Sequence, residues 1–380
     1  MKLKTWYLFL VIIILFGCSF YIVNLKFDKF YRVNGINNDN RVLIEKYLDE
    51  KEQSYLIDNQ ISIDLFIDYI EYNDFHLENY QYYNALKATN RYRQIENILE
   101  TGNSLATRLG YLFNNQSFQK AKLLIDRDLE LAFLNEENFN FDYIDIYSTL
   151  APLYAQKDYS YIQDGAEYVL RLNQMGIQTI DDLNDTMDML TTAYNQKSLH
   201  QLLTTSLPEN AHIVYNPYEL STLVDNMHYI GHYEPKGLLL VQDIPRMRYA
   251  MYLQSDAYHA LLKMYQDLSQ NFNGFLLKEA YVSHQDLSAK QVGYNESQLG
   301  LTITVTQSQT TYDSFSQTDM SKWLEDHAYE YGFILRYPQR KASITNHTYN
   351  AHIYRYVGKS LAKSLHESQM TLEEYQSQTS

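Results

Sequence analysis

Trp323-Leu324-Glu325-Asp326-His327-Ala328-Tyr329-Glu330-Tyr331-Gly332-Phe333-Ile334-Leu335-Arg336-Tyr337-Pro338 is the stretch on which the reading of the fold turns. Asp319 to Tyr331 reads as a helix, and Phe333 to Tyr337 as a short strand directly behind it. Working outward, the same texture continues on both sides. Upstream, His212 to Tyr215, Leu238 to Gln242, Phe275 to Val282 and Leu301 to Thr306 read as strands. Ser255 to Phe272 reads as a helix with Ala257, Leu261, Met264, Tyr265, Leu268 and Phe272 on one face. Downstream, Ala351 to Val357 is a strand, and Thr371-Leu372-Glu373-Glu374 is a capping box that opens a last helix. Residues 211–375 are therefore expected to form an α+β domain, a small antiparallel sheet with flanking helices.

This region resembles the VanY-like D-alanyl-D-alanine carboxypeptidases, which share the hedgehog-type zinc-peptidase fold and trim the terminal D-alanine from peptidoglycan stem peptides. The motifs that carry the resemblance come in the order of that family. They are Asn216-Pro217-Tyr218, Tyr233-Glu234-Pro235, the 323–338 stretch, Tyr354-Arg355-Tyr356-Val357-Gly358-Lys359 and Thr371-Leu372-Glu373-Glu374-Tyr375. The resemblance implies the fold. It also implies where a zinc site would lie, and there the chain departs from the family. The segment that carries two zinc ligands, a His and an Asp, in the family reads here Gly293-Tyr294-Asn295-Glu296-Ser297-Gln298-Leu299-Gly300-Leu301-Thr302-Ile303-Thr304, with Ser297 and Thr304 at the ligand positions. The general base and third ligand correspond to Asn350 and Ile353, and the Arg that takes the substrate carboxylate corresponds to Val282.

A catalytic zinc takes about three donors from His, Asp, Glu or Cys and leaves one position for water. Hydroxyls are poor replacements, an alkyl side chain is none, and Asn350 cannot accept a proton as a carboxylate does. The expectation is a domain with no catalytic residues, no metal ligands and no cofactor. His352 lies one residue from the third ligand position, but neighbours on a strand face opposite sides, so it would need a bulge to reach the site. Tyr281, Ser283, Glu296, Gln298, Tyr354 and Arg355 remain at or beside the family's pocket positions and are the candidates for substrate binding. His228 and His232 stand four apart, but no Glu follows the first and Gly231 weakens a helix, so they read as surface histidines near a turn. His347 and His352 lack a carboxylate between them, and neither Ser283 nor Ser297 has a legible His-Asp pair.

Upstream of this domain, residues 35–207 read as helical, with segments such as Val42 to Tyr55, Ser62 to Tyr72, Leu105 to Phe113, Phe118 to Ala132 and Ile180 to Tyr194. Asp58 to Phe75 and Thr101 to Phe118 carry a similar pattern about 43 residues apart, a weak repeat or a coincidence. No metal-type spacing occurs there, and a spacer or partner-binding role is the default. At the N-terminus, residues 1–4 form a charged tail, and 5–23 are an uncharged apolar run long enough for a helix to cross a hydrocarbon core of about 30 Å. The expectation is a single-pass membrane protein with a short cytoplasmic tail and most of the chain extracytoplasmic. A lipoprotein is the second reading, since Leu15-Phe16-Gly17-Cys18 resembles a lipobox that would lipidate Cys18.

Composition narrows the rest. Two soluble units and a targeting segment fit 380 residues at roughly 100–200 residues per domain. A net charge of -15, without a cluster of Lys and Arg, speaks against nucleic acid. The lone Cys18 excludes an internal disulfide and a Cys-based zinc site. The 37 Tyr are spread along the chain and read as a composition bias, not as one contact surface. The functional expectation is a non-catalytic binder of cell-wall stem peptide or of a cell-wall protein. Its alternatives are a D,D- or L,D-carboxypeptidase with zinc in a rearranged site, and a structural platform whose helical region binds a membrane or division protein.

Overall fold

The computed structural model describes residues 2–110 and 115–379. The chain divides into two units, residues 1–148 with 157–162, and residues 149–156 with 163–380. In the first unit, α1 (Lys2–Phe27) is followed by α2 (Asn38–Tyr47), α3 (Glu50–Asp58), α4 (Tyr80–Ala88), α5 (Ile95–Leu109), α6 (Asn115–Asp126), α7 (Glu130–Asn135) and α8 (Ile144–Leu150), the last of which ends in the second unit. The window Trp6–Val23 of α1 has a mean hydropathy of 2.4 and no buried residue, so by length and composition this helix can cross a membrane.

The helical region departs from the sequence reading at three places, each for a local reason. The expected helix Val42 to Tyr55 is two helices, because the Asp49 carboxylate accepts the Lys51 and Glu52 amides and starts α3 afresh. Ser62 to Tyr72 is not an α-helix but a chain of tight turns, with Phe66 N–H bonded to Ile63 O, Tyr69 N–H to Phe66 O, and Tyr72 N–H to Tyr69 O. Apolar residues three apart serve that turn series as well as they serve a helix, which is why the pattern misleads. Phe118 to Ala132 breaks between α6 and α7, where Asp128 takes a φ of +58°. The expected helix from Leu105 starts earlier, at Ile95, and its end at Phe113 lies outside the described residues. The two stretches compared as a repeat differ: the first is turns, and the second opens inside α5 and continues through residues that are not described.

In the second unit, α9 (Tyr161–Gln174, which begins in the first), α10 (Ile180–Ala193) and α11 (Gln196–Thr204) precede the mixed region. Two small pairs come first. β1 (His212–Ile213) runs parallel to β2 (His228–Tyr229), and β3 (Leu238–Leu240) antiparallel to β4 (Tyr252–Gln254). Helix α12 (Ser255–Leu268) then leads to β5 (Phe275–Glu279), β6 (Thr302–Gln307), α13 (Asp319–His327), β7 (Phe333–Tyr337), the short α14 (Ala342–Thr345), β8 (Asn350–Tyr356), α15 (Lys359–Ser368) and α16 (Leu372–Thr379). The last four strands make an antiparallel sheet in the order β5-β6-β8-β7.

Its turns need particular residues. Gly332, φ +94°, ends the turn after α13 so close to Gly358 that an added Cβ would lie 3.1 Å from backbone, which leaves room for glycine alone. Thr371 and Glu374 form the expected capping box at α16, with the Thr371 amide donating to Glu374 and the Glu374 amide to Thr371 Oγ1. Leu223, Val357, Ala362, Leu365 and Leu372 close one apolar cluster beside the sheet.

Candidate functional site

Register builds the site. Glu279 on β5 pairs with Thr304 on β6, and Thr304 pairs with Ile353 on β8, so the three lie in one row across the sheet. Between β5 and β6 the chain makes a short turn at Glu296–Leu299, capped by Asn295 Oδ1 on the Ser297 amide and ended by Gly300 at φ +67°. This turn brings Ser297 to the sheet, where its carbonyl accepts the Val282 amide at 3.2 Å. Above this floor lies a cleft of about 370 Å³ lined by Ser297, Thr304 and Ile353 together with Asp225, Glu279, Lys290, Tyr337 and His347. That volume falls at the small end of ligand pockets, which run from about 300 to 1,000 Å³.

The structure thus brings together the three positions at which the resemblance expects metal ligands, and they offer two alcohols and an alkyl group. This donor set does not fit a catalytic zinc, which takes imidazole, carboxylate or thiolate. The other cleft groups do not supply the deficit, for among the described residues no three His, Cys, Asp or Glu side chains are grouped so as to hold an ion. His352 is turned away from the cleft. Its Nδ1 lies 2.6 Å from Val305 O and its Nε2 3.0 Å from Tyr312 O, and its ring stacks on Tyr312 and Phe315. Asn350 is not among the cleft-lining residues either; its amide donates to Tyr312 Oη and its carbonyl accepts the His352 amide.

The candidates for substrate binding separate into two groups. Glu296, Gln298, Tyr354 and Arg355 are buried. Gln298 spans two loops, accepting the Gly293 amide at 2.6 Å and donating to Gly231 O at 3.1 Å. Glu296 lines the cleft and anchors an ion network under it. Its Oε1 lies 2.9 Å from Arg336 Nε and 3.1 Å from Arg355 Nη1, and Thr302 donates to its Oε2. Arg336 reaches on to Glu373 at 2.8 Å, while Arg355 Nη2 donates to the carbonyls of Leu220 and Thr222. Burial disfavours both guanidinium charges. Two carboxylates outweigh it for Arg336, which is held above the usual range, whereas Arg355, with one carboxylate and Arg336 as a neighbour, is pushed down to about 10. Tyr354 is fully buried, and burial pushes its phenol well up.

Tyr281 and Ser283 are half-buried on the chain leaving β5 and are not among the cleft-lining residues. The Tyr281 amide bonds to Tyr252 O, and Ser283 Oγ caps the short turn that follows by accepting the Gln285 amide. His228 and His232 are not on a helix. His228 stands on β2 with Nδ1 2.8 Å from Asp225, and His232 stacks on His284, whose Nε2 meets Glu234 at 2.9 Å.

Sequence reasoning did not place Asp225, Glu279, Lys290, Tyr337 or His347 in the site. No local signal marks them as a set, since separate stretches of chain bring them to one cleft. Tyr337 forms part of its wall, and burial pushes its phenol up to about 12.

An antiparallel sheet between helices with a cleft over its central strands is the α+β fold of the zinc-peptidase type of carboxypeptidase. The C-terminal region of this chain is a VanY D-alanyl-D-alanine carboxypeptidase domain, and residues 255–359 match that family. The chain is 29% identical over 191 residues to YodJ of Bacillus subtilis (strain 168), named as a carboxypeptidase, covering 43% of this chain and 68% of that one. It is 36% identical over 100 residues to a D-alanyl-D-alanine carboxypeptidase of Enterococcus faecium, covering 26% of this chain and 32%, about a third, of that relative's length. Among solved structures it is similar to the LD-carboxypeptidase LdcB, with 28% identity, a TM-score of 0.41, and coverage of 45% of this chain and 91% of that one.

Proposed function

We propose that this protein is a membrane-anchored, extracytoplasmic binder of cell-wall peptide, built on a carboxypeptidase domain that has lost its chemistry. One observation carries the reading: a cleft of ligand size persists over the sheet, while the three ligand positions on its floor hold Ser297, Thr304 and Ile353. A bound zinc would supply an activated water for attack on the peptide bond. These residues supply no grip for it. They leave a surface of hydroxyl groups and an aliphatic floor, which suits holding a peptide by hydrogen bonds and apolar contact. The apolar, unburied stretch of α1 supports the anchor, with lipidation at Cys18 as the alternative tether. Gln298, Tyr354 and Arg355 serve this reading as the frame beneath the cleft, Glu296 as the residue that joins that frame to the lining, and Tyr281 and Ser283 as groups near it.

The test uses the full chain in detergent. Purified protein, supplied with zinc, is expected to release no D-alanine from a pentapeptide ending in D-alanyl-D-alanine and to be retained on isolated peptidoglycan. Zinc-dependent release would overturn the non-catalytic reading, and failure to be retained would overturn the wall-binding one.

A further inference from the structure

Past its apolar helix the chain turns back on itself. Helix α1 runs on from Tyr21 to Phe27, a rise of about 9 Å at about 1.5 Å per residue. The turn that follows brings Tyr31 and Arg32 back to the level of Tyr21. The Arg32 guanidinium bonds to Tyr21 Oη and lies 5.6 Å from the centre of its ring, and the Tyr31 ring meets that of Tyr21 edge-on at 6.2 Å. The turn itself is fixed to the first unit. Phe30 and Val33 are buried there, the Tyr31 amide donates to Asp28 O at 3.1 Å and the Val33 amide to Phe30 O at 2.9 Å, and Asp28 pairs with Arg41 at 2.8 Å.

These contacts gather two phenols and a guanidinium at the end of the apolar window, which closes at Val23. Tyr21 and Tyr31 keep 42% and 40% of their surface exposed, and Arg32 is exposed with no carboxylate paired to it among the described residues. Tyrosine rings at the end of an apolar helix suit the headgroup level of a bilayer. A guanidinium without a carboxylate matches two oxygens of a phosphate. We propose that Tyr21, Tyr31 and Arg32 form a clasp for the phosphodiester of a membrane phospholipid, so that the first unit rests on the bilayer surface and does not stand off it on the last turns of α1. The clasp rests on the reading of α1 as a membrane anchor, and adds where the membrane ends and what its boundary binds. Because Phe30 and Val33 belong to the core of the first unit, holding the turn at the surface holds that unit there.

The experiment reconstitutes the full chain in phosphatidylglycerol vesicles and spin-labels one cysteine at a time, the native Cys18 or Asn34→Cys in a Cys18→Ser background. Cys18 lies inside the apolar window, and Asn34 is exposed just past the clasp. Paramagnetic resonance then compares collisions of the label with oxygen, which concentrates in hydrocarbon, and with a water-soluble nickel chelate. Oxygen is expected to dominate at 18. At 34, Arg32→Gln is expected to raise nickel collisions by about twofold or more, and Arg32→Lys, which keeps the charge, by less. Arg32 is exposed, so neither change endangers folding. In maltoside micelles, which carry no phosphate, the difference made by Arg32→Gln is expected to vanish. Equal nickel collisions at 34 with and without Arg32, or the same difference in micelles as in vesicles, would overturn the clasp, while oxygen at 18 leaves the anchor standing. Exclusion of oxygen at 18, or a Cys18 already blocked by lipid, would remove the anchor and the clasp with it.

Discussion

Replacing Glu296 by Gln tests whether the ion network is frame or binding surface. The carboxylate is 7% exposed and faces Arg336 at 2% and Arg355 at 0%. Arg336 keeps Glu373 after the change, but Arg355 loses the one carboxylate it contacts and is left charged in the interior, with carbonyl oxygens as its remaining partners. Breaking a buried pair in this way costs about 3–5 kcal/mol, a large share of the roughly 5–15 kcal/mol that stabilises a domain. With a urea m-value of about 2–3 kcal/mol/M, the midpoint should fall by about 1–2.5 M. Trp323 lies in this unit, so its fluorescence reports the transition, and the other tryptophan, Trp6, sits in the apolar N-terminal helix. Glu373→Gln should cost less, because Arg336 retains Glu296, and Glu374→Gln least, because its partner Lys341 is partly exposed. A Glu296→Gln midpoint that moves by under about 0.3 M, or the reverse ranking of the three, would refute the idea that Glu296 holds the fold.

Two further outcomes follow from the same geometry. The triple variant Ser297→His, Thr304→Asp, Ile353→His should bind one zinc per chain by elemental analysis where the wild type retains none after dialysis, since register already sets positions 304 and 353 side by side; an equally metal-free variant would count against the placement of the site. The Asp225 and His228 pair should add a pH term. The hydrogen bond to Asp225 raises His228 against the pull of burial, so its contribution is complete below the unfolded value of 6.5 and fades as pH rises through the higher folded value. Burial pushes Asp225 up, but His228 and the two amides outweigh it, so its contribution is lost as pH falls below 3.8 and through the lower folded value. Stability should therefore drift down as pH rises above 6.5 and through the higher folded value, by no more than about 1 kcal/mol because the pair is a third exposed, and Asp225→Asn should flatten the drift.

Much of the sheet was legible because its strands are marked by local chemistry. Phe333 to Tyr337 begins after a glycine that must take positive φ, and its limits coincide with β7. The three positions at which the resemblance expects ligands lie on motifs anchored on both sides, and they do meet in one cleft. What a linear reading lacked was direction and depth. Gln298, Tyr354 and Arg355 stand beside pocket positions in sequence yet point into the interior, where Arg355 meets a carboxylate brought by a distant turn. Arg336 attracted no notice, although it joins Glu296 to Glu373, because nothing local distinguishes a buried arginine on a strand from an exposed one. The turn series from Ile63 failed in the opposite way: its spacing was read correctly, but that spacing does not separate repeated tight turns from a helix.

On the proposed reading, neutral side chains at all three ligand positions have a physical logic that a single replacement would lack. Glu279 stands directly across from Thr304. An aspartate at that position, without a cation to bridge it, would set two carboxylates opposite each other on adjacent strands, and like charges so placed are destabilising. On the proposed reading, once metal was no longer held, neutral side chains at all three positions relieved the sheet of that cost. The frame below did not depend on metal, since Glu296, Arg336, Arg355 and Glu373 neutralise one another there. Fold and cleft can therefore outlast the chemistry, because the charges that hold the domain together are separate from those that a metal would have held.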